Sequence, residues 1–305
     1  MRHYIYYLIA VLSLSACGGG GGGSSASSSS PLVTFSQVAS SSSVSVGNGI
    51  SNEISYTYNV AAEKVTSLSN KKTGETGAKV VVSHDSSSNL GTLTLTTAGG
   101  TTISWNTATD TYGALIINNN IGVLTTPNYA SGQNYTLFAN PYRLGWDYQT
   151  FGTWVTGAGS GSGKAGNYSI GVVTTGSSIP TSGSATYTGD TGGRYANSAG
   201  TDYFTTSNLS ATANYATRSI SLSSTSTKVS HDLINQTTNN NLNFTGTMSY
   251  TAANNSLSGT ILTTGGLNGT VKGQFYGPLA NEIGGSFTAT GAGIELYSGA
   301  FGAKK

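Results

Sequence analysis

The chain has 305 residues, of which only 8% are charged, and its formal net charge is +2. Globular domains usually carry about a quarter charged residues, so the surface must consist largely of serine, threonine, asparagine and glycine. The nearly balanced charge excludes a basic surface for nucleic acid and an acidic tail. A single cysteine excludes internal disulfides, so any folded region must depend on its own hydrophobic core, for which this length is sufficient.

The first 17 residues have the features of a lipoprotein signal peptide. Arg2 precedes an apolar run over 4–14, which is too short to span a bilayer. The tetrapeptide LSAC at 14–17 resembles a bacterial lipobox, so we predict cleavage before Cys17 and lipidation of its sulfur. In the alternative interpretation the segment is an ordinary signal peptide and Cys17 has no role. Lipidation would hold the chain at a membrane without a spanning helix.

Residues 18–31 form a flexible tether of glycine and serine. Such a tract has no apolar face to bury, and random-coil scaling gives it a reach of roughly 20 Å. Because Gly18 rather than aspartate follows Cys17, the sorting pattern of bacterial lipoproteins implies the outer membrane. We therefore predict a lipid-anchored outer-membrane protein that faces the cell exterior.

The rest of the chain has no long run with helical periodicity, and its pattern predicts an all-β fold. Residues 32–140 contain short strand candidates, separated by turn clusters such as 86–89 and 98–100. From residue 142 onward the candidates are longer, and there are ten of them. Because a small closed barrel needs eight strands, we predict an antiparallel barrel of eight strands or slightly more.

The last 36 residues place large aromatic side chains and glycines on the same face of each predicted strand. Phe275, Phe287 and Phe301 each follow a glycine two residues earlier. Small residues between large ones suit the crowded interior of a closed, curved sheet. We predict that the three phenylalanines point into the barrel and that the final strand closes its last edge.

Several motifs carry a resemblance to a known family. Three lie near the end of the sequence, GQFYGP at 273–278, ANEIGGSF at 280–287 and FGAKK at 301–305, and two lie upstream, LGW at 144–146 and PTSGSATYTG at 180–189. In this order they resemble the C-terminal barrel of transferrin-binding protein B and the single-barrel surface lipoproteins similar to it.

The resemblance implies an organisation and a role. It implies a β-rich handle domain at 32–140 and a barrel domain at 141–305, in one lobe. It implies a non-enzymatic surface lipoprotein that binds a host or environmental protein or ligand, with iron or haem acquisition as a candidate purpose. An alternative is a structural or immune-evasion surface protein of the factor H binding protein type, with no nutrient role. We predict a monomer.

Contact with a partner is predicted at the loops at one end of the handle and barrel. Residues 192–202 are interpreted as one of these loops. Arg194, Tyr195, Tyr203 and Phe204 are the candidate anchors, because arginine and tyrosine dominate interface hot spots. In the alternative interpretation Tyr203 and Phe204 straddle a strand, with one side chain inward and the other outward.

The sequence offers little for catalysis. It contains neither a serine nucleophile elbow nor an HExxH zinc motif. His84 and His231 each precede an aspartate, but neighbours in a strand point to opposite faces. We predict no enzymatic activity, no cofactor and no nucleic-acid partner. The alternative is direct binding of haem, with His84 or His231 as an axial ligand.

Overall fold

A computed structural model describes residues 43–84, 90–114, 121–125, 132–139, 141, 145–232 and 235–305. The predicted signal peptide with Cys17, the tether 18–31 and the segment 32–42 lie outside the described residues, so these assignments stay predictions. Within the described part of the chain, no helix has the length and apolar character needed to cross a membrane.

The described chain consists almost wholly of antiparallel β-strands, which confirms the all-β prediction. The strands are β1 (Ser43–Asn59), β2 (Lys64–His84), β3 (Leu90–Thr96), β4 (Thr102–Asn106), β5 (Thr111–Ala114), β6 (Ile121–Thr125), β7 (Gln133–Ala139), β8 (Gln149–Ala158), β9 (Ser162–Gly171), β10 (Ser184–Ala196), β11 (Asp202–Asn214), β12 (Ser219–Ser230), β13 (Gln236–Thr238), β14 (Phe244–Ser249), β15 (Leu257–Thr263), β16 (Asn268–Tyr276), β17 (Glu282–Thr290) and β18 (Leu296–Lys304). Short 3-10 turns lie at Gly176–Ser178, Asn240–Leu242 and Pro278–Ala280.

The first nine strands form one sheet in the order β4-β3-β2-β1-β9-β8-β7-β6-β5, which we call the handle from here on. β4 alternates between exposed and buried positions, as expected for a strand with one covered face, whereas β7, β8 and β9 contain runs of consecutive buried residues. Val80, Leu95, Trp105 and Tyr168 belong to one apolar cluster and are at most 1% exposed. Each such side chain contributes about 1.5–3 kcal/mol by leaving water.

The handle extends further along the chain than predicted. Strands β8 and β9, which cover 149–171, pair with β7 and β1, and Ile50 lies opposite Ser169. The next sheet begins only at Ser184. The predicted boundary at residue 140 is therefore too early, because β8 and β9 have the pattern of ordinary strands but find their partners far upstream.

Strands β10–β18 form the second sheet, which we call the barrel. Eight strands follow one another in the order β11-β10-β18-β17-β16-β15-β14-β12, and the pairing of β11 with β12 closes the ring. The short β13 pairs with the end of β12. The prediction of an eight-stranded antiparallel barrel is confirmed. Of the ten strand candidates, those at 149–155 and 167–174 belong to the handle, and the other eight make the barrel.

The aromatic residues of the terminal strands line the barrel interior as predicted. Phe275, Phe287 and Phe301 are 0%, 1% and 0% exposed and belong to one core cluster. The intervening glycines make room for these rings. A Cβ on Gly285 would lie 2.9 Å from Cε1 of Phe301, and one on Gly299 would lie 2.7 Å from Cε1 of Phe287. The last strand pairs on both sides, with β17 and β10, so it leaves no free edge.

Two other glycines of the same motifs face the opposite way, toward the handle. Gly284 and Gly302 lie directly opposite each other on β17 and β18. A Cβ on Gly302 would lie 2.6 Å from Cζ3 of Trp146 and 2.8 Å from Cδ1 of Phe151. The pair of glycines therefore forms a flat patch on the barrel wall, against which handle side chains pack.

Polar contacts join the two sheets around this patch. The side chain of Gln149 donates to the carbonyl oxygens of Ile283 (2.9 Å) and Ala303 (3.1 Å). Glu282, which is only 3% exposed, accepts hydrogen bonds from the backbone N–H groups of Asp147 (2.8 Å) and Tyr148 (3.2 Å). Burial raises the pKa of Glu282 to about 7, although these backbone donors oppose the shift.

Candidate binding site between handle and barrel

A cavity of about 280 Å³ lies between the handle and the outer wall of the barrel. It is near the end where the backbone N–H of Val65 donates to the carbonyl of Gly200 (2.9 Å), a bond that links the start of β2 to the β10–β11 turn. The lining residues are Ile54, Tyr56, Tyr58, Glu63, Val65, Leu68, Gln133, Tyr135, Thr153, Val155, Ala158, Gly159, Ala165, Gly166, Asn167, Arg194, Ala196, Asp202, Phe204, His231, Asp232, Leu296 and Ser298.

The strand register decides which predicted anchors reach this cavity. Arg194 lies opposite Phe204, and both face outward and line the cavity. Tyr195 lies opposite Tyr203, and both pack against the interior cluster of the barrel. The four candidates thus divide into two pairs on opposite faces, because side chains alternate along a strand.

The predicted loop at 192–202 is mostly strand. β10 continues to Ala196 and β11 begins at Asp202, so only a short turn separates them. The loop interpretation was wrong because the glycines at 192 and 193 lie within the strand, where Gly193 allows close approach to the β18 backbone at Gly299. Arg194 and Phe204 are therefore wall residues of a cavity and not the tips of a loop.

Arg194 is the main charged group in the wall. It forms an ion pair with Asp202, and its Nε donates to Oδ1 of that carboxylate (3.2 Å). Its guanidinium carbon lies 4.9 Å from the ring centre of Phe204 and 5.4 Å from that of Tyr135, which is the geometry of cation–π contacts. Burial lowers the pKa of Arg194 to about 10, against the effect of Tyr56 and Tyr58. Burial also raises the pKa of Asp202 to about 8, although His231 and the backbone N–H of Tyr203 oppose that shift.

Tyr195 and Tyr203, whose side chains face inward, close this end of the barrel. The rings of Tyr195 and Tyr203 are stacked, with centres 6.2 Å apart and planes 20° apart. The hydroxyl of Tyr195 donates to Oε1 of Glu295 (2.6 Å). A partner at the cavity therefore meets Arg194 and Phe204, whereas the two tyrosines support the wall from inside.

The two histidines lie in different sheets. His84 ends β2 in the handle, where its backbone pairs with Leu90. His231 follows β12, and its ring is held at both nitrogens: Nδ1 is 2.9 Å from the carbonyl oxygen of Asp202, and Nε2 is 3.3 Å from the carboxylate of Glu63. Among the described residues, no group of three or more metal-binding side chains occurs. Haem ligation by either histidine stays a prediction.

The bridge from His231 to Glu63 is expected to strengthen at low pH. The hydrogen bond to the backbone oxygen of Asp202 raises the pKa of His231, and Glu63 raises it further against the effect of burial. Because the folded-state pKa exceeds the unfolded one, this stabilisation is complete below the unfolded pKa, about 6.5, and is lost as pH rises through the folded-state pKa.

Thermal unfolding of the His231→Gln variant tests this expectation. The side chains are 44% and 70% exposed, so we expect the variant to lose about 0.5 kcal/mol at pH 5.5 and less at pH 9. The Glu63→Gln variant should show a similar trend of smaller size. A stability difference that does not change between these pH values would contradict the assigned bridge.

The cavity also depends on handle residues that the sequence did not single out. Tyr135 and Asn167 come from β7 and β9, and both are at least nine-tenths buried. In the sequence, neither residue differs visibly from other strand residues. Only the docking of handle on barrel places Tyr135 against Arg194 and Asn167 against Ser298, and no local motif signals that docking.

The family comparison concerns the barrel. The sequence model described as C-lobe and N-lobe beta barrels of Tf-binding protein B matches residues 179–305. The matched residues include all of β10–β18. The barrel is therefore similar to the barrels of transferrin-binding protein B, and the resemblance given by the terminal motifs is confirmed.

Solved structures of transferrin-binding protein B also align with part of this chain, at low sequence identity. A mutant of the protein from Haemophilus parasuis Hp5 is 12% identical to this chain. The alignment covers 85% of this chain and 76% of the Haemophilus parasuis chain, with a TM-score of 0.44. The isotype 1 protein from serogroup B Neisseria meningitidis is 14% identical, with 87% and 77% covered and a TM-score of 0.36. A structure described as a surface lipoprotein is 11% identical, with 83% and 98% covered and a TM-score of 0.35. Comparison with curated protein sequences finds no match.

Proposed function

We propose that this protein is a non-enzymatic surface lipoprotein that binds a protein or small ligand at the end where handle and barrel enclose the cavity. The observation that supports the proposal is the match of residues 179–305 to the barrels of a transferrin-binding protein. The cavity wall with Arg194 and Phe204 supplies a place where a partner could be held. Capture of a host protein for iron acquisition is the role that follows from the family.

The location is part of the same proposal. Lipidated Cys17 would anchor the chain in the outer membrane, and the tether 18–31 would let the folded part stand clear of the headgroups. An outward-facing, lipid-anchored monomer can meet partners in the surrounding fluid without a spanning helix.

Membrane fractionation tests the anchor. We expect the Cys17→Ser variant to appear in the soluble fraction, because the acyl chains that hold the protein in the bilayer cannot be attached. The Ser15→Thr variant, which leaves the thiol in place, serves as the control and should stay with the membranes. Retention of the Cys17→Ser variant in the membrane fraction would refute lipid anchoring at this residue.

Affinity capture tests the binding function. The chain from Ser24 to Lys305, which retains every described residue, is immobilised and exposed to host serum, and bound proteins are identified by mass spectrometry. Val60 and Leu262 are comparably exposed, at 46% and 50%, but only Val60 lies in the connection whose Glu63 lines the cavity. We expect Val60→Asp to reduce retention of the partner at least tenfold and Leu262→Asp to leave it unchanged.

The outcomes separate the alternatives. Retention of no serum protein, with no change in the haemin spectrum on mixing, would favour a structural surface role. A shift of the haemin Soret band that disappears in the His231→Ala or His84→Ala variant would favour direct haem binding. Loss of serum capture in Leu262→Asp but not in Val60→Asp would place the partner on another face of the barrel.

A further inference from the structure

Two residues that line the cavity each carry a buried polar atom that the protein leaves without a partner. Among the described residues, neither Nη1 of Arg194 nor Oδ1 of Asn167 has a hydrogen-bond partner, and both atoms are buried. Asn167 is only 2% exposed, and its Nδ2 is already used by Ser298 (2.5 Å). Both residues line the cavity. The site therefore offers one unused donor and one unused acceptor, and burying such groups unpaired is unfavourable.

The charges around the cavity argue against an anionic ligand. Arg194 is already paired with Asp202. His231 lies beside Glu63, and the carboxylate of Asp232 also lines the cavity. The carboxylates of the cavity wall are thus at least as numerous as its cations. A ligand with a carboxylate or phosphate group would therefore meet no net positive charge. A neutral group can satisfy both unused atoms without that repulsion.

The walls are apolar and the space is small. Ile54, Tyr135, Val155, Phe204 and Leu296 contribute aromatic and branched side chains to the lining. The volume of about 280 Å³ lies just below the usual range of ligand sites. It suits one ring-sized apolar body, held by contact with these side chains and oriented by a few polar atoms.

We propose that the cavity binds a neutral, ring-sized group that carries one function able both to accept and to donate a hydrogen bond, such as an amide or a phenol. The group accepts from Nη1 of Arg194 and donates to Oδ1 of Asn167. This inference rests on the binding function proposed above and names the ligand chemistry of its site. The same chemistry is found in a free small molecule and in a tyrosine side chain of a protein partner.

Calorimetric titration with benzamide, benzoate and toluene tests the assignment on the chain from Ser24 to Lys305. Benzamide carries a donor and an acceptor, benzoate has the same shape with a negative charge, and toluene has no polar group. We expect benzamide to bind with a Kd of about 1 mM or tighter, which is reachable for nine non-hydrogen atoms. Benzoate and toluene should each bind at least tenfold more weakly. Benzoate binding as tight as that of benzamide would overturn the charge argument.

Three variants test whether benzamide and toluene bind in this cavity. Asn167→Leu removes the acceptor at nearly constant volume, so benzamide affinity should fall at least tenfold while toluene affinity does not fall. Ala165→Ile adds bulk to the cavity wall on β9, where a β-branched residue suits the strand, and should abolish binding of both. Thr260→Ile adds a similar group at an exposed position of β15 and should change neither. Unchanged benzamide binding in Ala165→Ile, or no binding by the unaltered chain, would refute the inference.

Competition with the captured serum partner identifies the source of the group. If saturating N-acetyltyrosinamide or benzamide displaces that partner, the ligand is a side chain of the partner, and if it does not, the cavity takes a free small molecule. Serum capture without benzamide binding would refute the cavity assignment and leave the proposed function standing. Benzamide binding without serum capture would support the cavity chemistry and count against a protein partner.

Discussion

Replacing Phe287 with alanine is expected to reduce the free energy of unfolding by about 3–5 kcal/mol. The side chain is 1% exposed. Its ring centre lies 4.9 Å from that of Phe244 and 4.9 Å from that of Tyr297, so it joins strands across the barrel interior. Truncation would leave a cavity bounded by rigid strands that cannot close around it. Urea unfolding followed by tryptophan fluorescence and circular dichroism measures the loss.

The Leu279→Ala variant is the matched control for this truncation. Leu279 is 62% exposed in the turn before β17, so its loss should change stability by no more than about 0.5 kcal/mol. If Phe287→Ala and Leu279→Ala unfold at the same urea concentration, Phe287 does not belong to a packed interior, and the interpretation of the terminal motifs is wrong.

Replacing Gly302 with valine is expected to weaken the docking of the handle on the barrel, at a cost of about 3 kcal/mol. The new side chain would meet the rings of Trp146 and Phe151, which have no room to move because they are 2% and 1% exposed. Since Gly302 faces away from the barrel interior, the barrel core itself should remain packed. Limited proteolysis should therefore cut the handle before the barrel.

Gly47→Val is the control for this substitution. A Cβ at Gly47 would meet nothing within 4 Å, and the residue does not need a positive φ. We expect this variant to unfold and to be digested like the unaltered protein. Equal protease resistance of Gly302→Val and Gly47→Val would show that the handle does not pack on the glycine patch.

The inward face of the terminal strands could be predicted from sequence because the information is local. Period-two alternation of Phe275, Phe287 and Phe301 with glycines specifies a strand with one crowded face, and burial follows from the hydrophobic effect. The outward glycines, Gly284 and Gly302, could not be interpreted in the same way. Their role depends on the handle, which packs on them from a distant part of the chain.

The domain boundary shows the same limit. Residues 149–171 are recognisable from sequence as strands, but nothing in their composition states which sheet they join. Pairing of β9 with β1 is a long-range choice, set by the register that buries Trp154 and Tyr168 in the handle core. Sequence patterning therefore identified the strands but assigned this hairpin to the wrong sheet.

The candidate site was predicted in part. Arg194 and Phe204 were singled out for their residue types, and they do line the cavity, but as wall residues and not as loop tips. Tyr195 and Tyr203, their neighbours, face the barrel interior because each position along a strand reverses the face. Asn167 could not be found from sequence, since an asparagine in a strand becomes notable only when its Oδ1 is buried without a partner.

The central claim is that the barrel wall formed by the terminal strand packs directly against the handle and so encloses the site. Selective labelling of glycine and tryptophan allows a nuclear Overhauser measurement between the indole protons of Trp146 and the α protons of Gly302. Packing of Trp146 on Gly302 predicts a strong cross-peak, because the aromatic ring lies in direct contact with the position where a Cβ would stand. A fully assigned spectrum in which Gly302 shows contacts only to its neighbours in β17 and β10 would contradict it.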